Sequence, residues 1–100
     1  MERAEQTRAL GSTVRLTILE WLKHPRRHFA HQASAAPEKV GVCITLMADK
    51  LGIAQPTATR HVDVLRRAGF LKANRVGRWT YVSRDEEGID EYRIWVAKHL

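Results

Sequence analysis

The stretch GIAQPTATRHVDVLRRAGFLKANRVGRWTYV, residues 52–82, constrains the fold more than any other part of the chain. Its first half, residues 52–69, is bounded by glycine at both ends. Placed on a helical wheel at about 100° per residue, Ala58, Val62 and Leu65 fall together and define an inward side. Pro56, Arg60, Asp63 and Arg67 point the opposite way, with Thr57 and Thr59 on the flanks. So thin an apolar stripe must be held by neighbouring elements. Pro56 suits the first helical turn, where its missing N–H leaves nothing unsatisfied. The second half, FLKANRVGRWTYVSR, reads as two strands around a turn at Asn74–Gly77. Asn and Gly tolerate the positive φ that hairpin turns require, and Trp79, Tyr81 and Val82 favour strands.

The flanking segments supply the packing partners. A short helix is expected over residues 2–10, anchored by Ala4 and Leu10 and ended by Gly11. Ser12 or Thr13 can cap a second helix, whose apolar positions are Val14, Ile18, Trp21 and Leu22, widened by Leu16 and Leu19. It stops near His24-Pro25, because the residue before proline avoids helical geometry. Residues 25–42 contain two prolines and several small residues without a period, and predict a long loop. A third helix spans about Ile44 to Leu51, with Leu46, Met47 and Leu51 inward and Gly52 as its stop. A last helix over residues 86–99 places Ile89, Tyr92, Val96 and His99 on one side, with Trp95 beside them. Asp85, Glu86 and Glu87 favour its N-terminal end. The expected order is α-α-α-α-β-β-α, mainly α with a small β-hairpin over residues 70–83, in a single domain of residues 1–100. Two helices joined by a tight turn and followed by a basic hairpin make a winged helix-turn-helix.

Charge is concentrated on this motif. Residues 55–84 carry seven basic side chains (Arg60, Arg66, Arg67, Lys72, Arg75, Arg78 and Arg84) and one acid, Asp63, so they hold the whole net charge of +6. Such segregation is the footprint of a polyanion partner, with double-stranded DNA the first candidate. Gln55, Thr57, Thr59 and Arg60 would enter the major groove. There Gln pairs with adenine, Arg with guanine, and a Thr methyl meets thymine. Arg66, Arg67, Lys72, Arg75 and Arg78 would lie along the phosphate rails. His61 is equally a packed, hydrogen-bonded histidine and a DNA contact. Arg67 can pair with Asp63 across one helical turn, and Trp79 is expected against the core rather than on a base.

The segment LGIAQPTATRHVDVLRRAGFLKANRVGRWTYV resembles the DNA-binding part of ArsR/SmtB-type bacterial transcriptional repressors. Their pattern runs LG-(L/I)-SQPTVSRHL-x-x-L-x-x-AG-L-(V/L), followed by a hairpin with GRW and an aromatic. Upstream, ALGSTVRLTILEWL is similar to the family's AL-x-x-P-x-R-L-x-I-L, so the resemblance spans most of residues 9–83. It implies a dimer whose first and last helices pair between chains, and repression of a nearby operon relieved by an inducer. Three features depart from the pattern. Ala54 stands where the family often has a capping Ser, Thr13 replaces a common proline, and the 25–42 segment is longer than usual.

The metal sites that the resemblance implies are not matched. Where relatives have an ELCVCDL-like stretch, this chain has GVCITLM: Cys43 matches the first cysteine, but Thr45 and Leu46 replace the second cysteine and the acid. On the last helix Asp90, Glu91 and His99 lack the family's ligand spacing. His24, His28, His31 and Cys43 have the donor types zinc prefers, although Arg26 and Arg27 nearby repel a cation. The expectation is no metal and no cofactor, with Cys43 a small buried residue.

The first and last helices carry apolar residues beyond the needs of one small core, which suggests a homodimer through Leu10, Tyr92, Trp95 and Val96. Two-fold symmetry would then match an inverted repeat. No apolar run approaches the roughly 20 residues of a membrane span, no signal peptide is visible, and one cysteine fits the cytoplasm. There is no phosphate loop, carboxylate pair or nucleophile with an evident base, so an enzyme is not expected. The expected function is a sequence-specific DNA-binding repressor released by an unidentified inducer. The alternative is a winged-helix protein-interaction module.

Overall fold

A computed structural model describes residues 3–100. Helix α1, Arg3–Ala9, leads through Gly11 into α2, Thr13–Lys23. Position 2 of the expected first helix lies outside the described residues. Ser12 caps α2, its Oγ accepting the Arg15 N–H at 3.2 Å. Ile18 and Leu22 are buried, whereas Leu16, expected on the apolar stripe, is 50% exposed.

The 25–42 segment is not the structureless loop that its prolines suggested. Pro25 opens a helix, α3, Pro25–Phe29, and Pro37 opens α4, Pro37–Val40. Each proline stands in the first helical turn, where no intrahelical N–H is needed. Phe29 drops into the core with no exposed surface. Val42–Cys43 then forms a short strand, β1. Gln32 organises this region from a buried position. Its amide donates to the carbonyls of Ala35 (2.8 Å) and Gly41 (3.0 Å), and its Oε1 accepts the Cys43 N–H (2.8 Å). The Tyr81 hydroxyl donates to Ser34 Oγ at 2.8 Å and fastens the same stretch.

Helix α5, Ile44–Leu51, ends at Gly52 in the left-handed conformation, φ 71°, and the chain turns into α6, Gln55–Arg67. Strands β2, Leu71–Val76, and β3, Trp79–Arg84, pair antiparallel. The turn is tighter and later than expected. Asn74 pairs with Tyr81 and Val76 with Trp79, so the strand runs through Asn74 and reverses at Gly77–Arg78. Strand β1 adds to the free side of β3 through Val42↔Val82 and Cys43↔Tyr81, giving a three-stranded sheet of order β1-β3-β2. Helix α7, Glu86–His99, is capped by Asp85, whose Oδ1 accepts the Gly88 N–H at 3.1 Å. The hairpin and the extra strand wall off a core of Phe29, Phe70, Ile18, Met47, Leu65, Val42, Val62 and Val82. Helices α5 and α6 pack on this core, so the outer side of α6 is turned to solvent.

Candidate nucleic-acid interface

Helix α6 is held as its wheel predicts. Ala58, Val62 and Leu65 are buried, while Gln55, Pro56, Arg60 and Arg67 are exposed and Thr57, Thr59 and His61 half-buried. Ala54 gives the helix no side-chain cap. Thr45 of α5 donates its hydroxyl to Gln55 Oε1 at 3.3 Å, which leaves the Gln55 amide N–H groups free to donate elsewhere. Asp63 pairs with Arg66 at 3.6 Å, three residues on, rather than with Arg67, the alternative partner one turn away. An exposed pair of this kind adds little to stability. Its effect is on the charge pattern: Arg60 and Arg67 carry no ion pair among the described residues.

The hairpin completes the surface. A cleft of about 350 Å³ separates Gln55, Thr59 and Asp63 of α6 from Arg75, Arg78, Trp79 and Thr80 of the wing. Arg75 donates from Nε to the Gly77 carbonyl at 3.2 Å, and the Arg78 guanidinium lies 4.8 Å from the centre of the Trp79 ring. Trp79 is half-buried beneath it, so the indole serves as a platform that orients the arginine.

Two basic residues from the charge count do not belong here. Side chains alternate across a strand, and Lys72 faces the opposite side of the sheet from Ala73 and Arg75, beside Pro37 and Glu38. The Arg84 side chain is only 8% exposed. It chelates Glu86 at 2.8 and 3.1 Å and donates to the Leu19 carbonyl at 3.1 Å, joining β3 to α2 and the start of α7. The Arg84 hydrogen bond holds the Glu86 carboxyl below its usual pKa.

His61 is both packed and hydrogen-bonded: its Nδ1 lies 3.1 Å from Arg15 Nη1. Burial, then the nearby Arg15 and Arg60 cations, hold its pKa below the ordinary imidazole value. Pattern reading had no means to find Arg15, because a polar residue at that position on α2 looks like a solvated one. Gln32 escaped for the same reason.

The structure does not bring His24, His28, His31 and Cys43 together, and among the described residues no group of three or more His, Cys, Asp or Glu could hold a metal ion. His28 instead faces Lys50, whose Nζ lies 3.0 Å from the His28 carbonyl and 5.0 and 5.2 Å from the Trp21 and Phe29 ring centres. Cys43 is buried in β1.

Of the residues expected at a dimer interface, Leu10, Tyr92 and Val96 line one apolar groove of about 420 Å³ with Leu19, Phe70 and Ile89. Trp95 lies to one side, stacked on His99 at 5.0 Å and Tyr92 at 5.9 Å. The Tyr92 hydroxyl shares a 2.6 Å hydrogen bond with Thr7, which joins α7 to α1. Ile94, which the pattern did not single out, is 58% exposed on α7. Among the described residues, no helix is long and apolar enough to cross a membrane.

No protein-family model matches the chain. It is 46% identical over 89 residues to the HTH-type transcriptional regulator YbzH of Bacillus subtilis, covering 89% of each chain. Among solved structures it resembles the ArsR family transcriptional regulator RHA00566, with a TM-score of 0.70 at 17% identity over 95% of this chain and 82% of that one. It also resembles the homodimeric winged helix-turn-helix DNA-binding domain of Mb0332 from Mycobacterium bovis, with a TM-score of 0.65 at 22% identity over 97% and 80%. A thin helix held by its inner side beside a basic wing, the likeness to YbzH and the shared architecture lead to one assignment: the chain belongs to the HTH-type transcriptional regulators and has the winged helix-turn-helix fold of the ArsR type.

Proposed function

We propose that the chain is a dimeric, sequence-specific repressor that lays α6 in the major groove of double-stranded DNA. The observation that carries this reading is the pair of arginines, Arg60 and Arg67, left without an ion pair among the described residues on the outer side of α6. Gln55, Thr57, Thr59 and Arg60 read base edges. His61, Arg67, Arg75 and Arg78 meet the sugar-phosphate backbone and set the register. In the dimer a second copy covers the groove lined by Leu10, Tyr92 and Val96, with Trp95 at its margin. Support comes from the homodimeric state of the Mycobacterium bovis neighbour. The two recognition helices then address an inverted repeat with half-sites about one DNA turn, or a multiple of it, apart. An inducer releases the repressor in the cytoplasm. Neither a metal, a cofactor nor catalysis forms part of the proposal.

Two variants separate reading from positioning. Arg60→Ala loses about 1–3 kcal/mol of operator binding and relaxes the preference for operator over unrelated DNA. Arg75→Ala weakens binding to both DNAs by a similar factor and flattens the salt dependence. Fluorescence anisotropy on matched duplexes measures both. If both variants bind the operator as the unmodified chain does, this surface is not the one that meets DNA. Light scattering at micromolar concentration checks the dimer, and a monomer there would contradict it.

A further inference from the structure

The recognition helix is tied to the start of the chain through Arg15, a side chain the proposed DNA contacts do not use. Arg15 lies in the first turn of α2. Its Nε donates to the Ala9 carbonyl at 2.7 Å and its Nη2 to the Arg8 carbonyl at 3.3 Å. Both carbonyls belong to the last turn of α1, and that of Arg8 also accepts the Gly11 N–H at 3.0 Å. The third contact, at 3.1 Å, is Nη1 to Nδ1 of His61 in α6.

A guanidinium has donors only. His61 Nδ1 must therefore accept, which places the ring proton on Nε2, at the other side of the imidazole. Burial and the two neighbouring arginines disfavour the charged ring, in keeping with an accepting Nδ1. His61 is half-buried and, one helical turn after Thr57, occupies a flank of α6. With the N-terminal turn of α6 in the groove, a flank side chain one turn further along the helix stands nearer the phosphate rail.

We propose that Arg15 is a positioning residue for DNA binding: by joining the end of α1 to His61 Nδ1, it presents the His61 Nε2–H to a backbone phosphate and couples the seating of α6 to α1. This rests on the reading of α6 as the DNA-reading helix. Through the Thr7–Tyr92 hydrogen bond α1 also touches α7, so the link runs from the proposed dimer arms to the recognition helix.

The test begins with the unmodified, DNA-free protein. Ring-nitrogen chemical shifts of His61 should report the neutral Nε2–H tautomer; an Nδ1–H tautomer would overturn the proposal. Arg15→Lys keeps the charge but cannot reproduce the three-way contact. It should shift the tautomer balance and weaken binding to operator and scrambled DNA alike by about tenfold, the size of one charge-assisted hydrogen bond. In a His61→Phe background the same change should have no further effect on affinity. An equal loss in both backgrounds would show that Arg15 acts without His61. Operator binding that Arg15→Lys leaves untouched would remove the coupling and leave the DNA-binding reading intact. Absence of DNA binding by the unmodified protein would remove both.

Discussion

Phe29→Ala should destabilise the folded chain by about 3–5 kcal/mol, the usual loss for a fully buried phenylalanine. Phe29 has no exposed surface. It meets the Trp21 ring edge-on at 6.1 Å, with the Lys50 ammonium 5.2 Å from its centre. Helix α3 has only five residues, far too few to hold itself without tertiary packing. Removing the ring leaves a cavity and unfastens α3 from α2 and α5. A domain of this kind has a total stability of about 5–15 kcal/mol, so the loss is a large share of it. Urea unfolding followed by tryptophan fluorescence measures it. A loss under about 1 kcal/mol would mean that this segment is not docked as described.

Gly88→Ala should also destabilise, and its sign is the informative part. Propensity alone predicts a gain of about 1 kcal/mol when alanine replaces glycine within a helix. Position 88 is different, because an added Cβ would fall on the carbonyl oxygen of Gly69. That carbonyl cannot swing aside like a side chain. Gly69 sits at φ 85°, its N–H bonded to the Arg66 carbonyl at 3.0 Å, and the next N–H is bonded to the Leu65 carbonyl at 2.9 Å. Overpacking against fixed backbone costs about 1–3 kcal/mol or more, enough to reverse the propensity gain. The start of α7 must move, and with it Ile89 and Tyr92 in the apolar groove. Dimer affinity should fall together with stability. A higher melting temperature for the variant would contradict this packing.

The long helices were legible because their signals are local. Ser12 caps where capping chemistry requires, the acids Asp85, Glu86 and Glu87 stand at the start of α7, and Ala58, Val62 and Leu65 recur at the helical period. The 25–42 region was not legible, for a physical reason. A helix of four or five residues shows no period, and a proline in the first turn gives the same signal as a proline in a loop. The two-residue strand β1 exists only because β3 offers it a partner. The hairpin turn was misplaced because Asn74 tolerates a turn, while the pairing of Asn74 with Tyr81 keeps it in the strand.

At the site, the wheel assigned the inner and outer sides of α6, and the charge count found the basic region. It also overcounted, because whether Arg84 faces solvent or bonds to Glu86 and the Leu19 carbonyl depends on tertiary packing. The partner of Asp63 turned on one residue of helical phase. The Arg15–His61 contact joins residues 46 positions apart, a separation at which a single sequence carries no pairing signal.

Reading of DNA by α6 and the wing is the proposed activity on which the rest depends. The most direct measurement is fluorescence anisotropy of the unmodified protein with duplex DNA from immediately upstream of its own coding region, against a scrambled duplex, at two salt concentrations. Tight binding is expected, with preference for the upstream DNA and a steep loss as salt rises. Equal binding to both duplexes, or none to either, would contradict it.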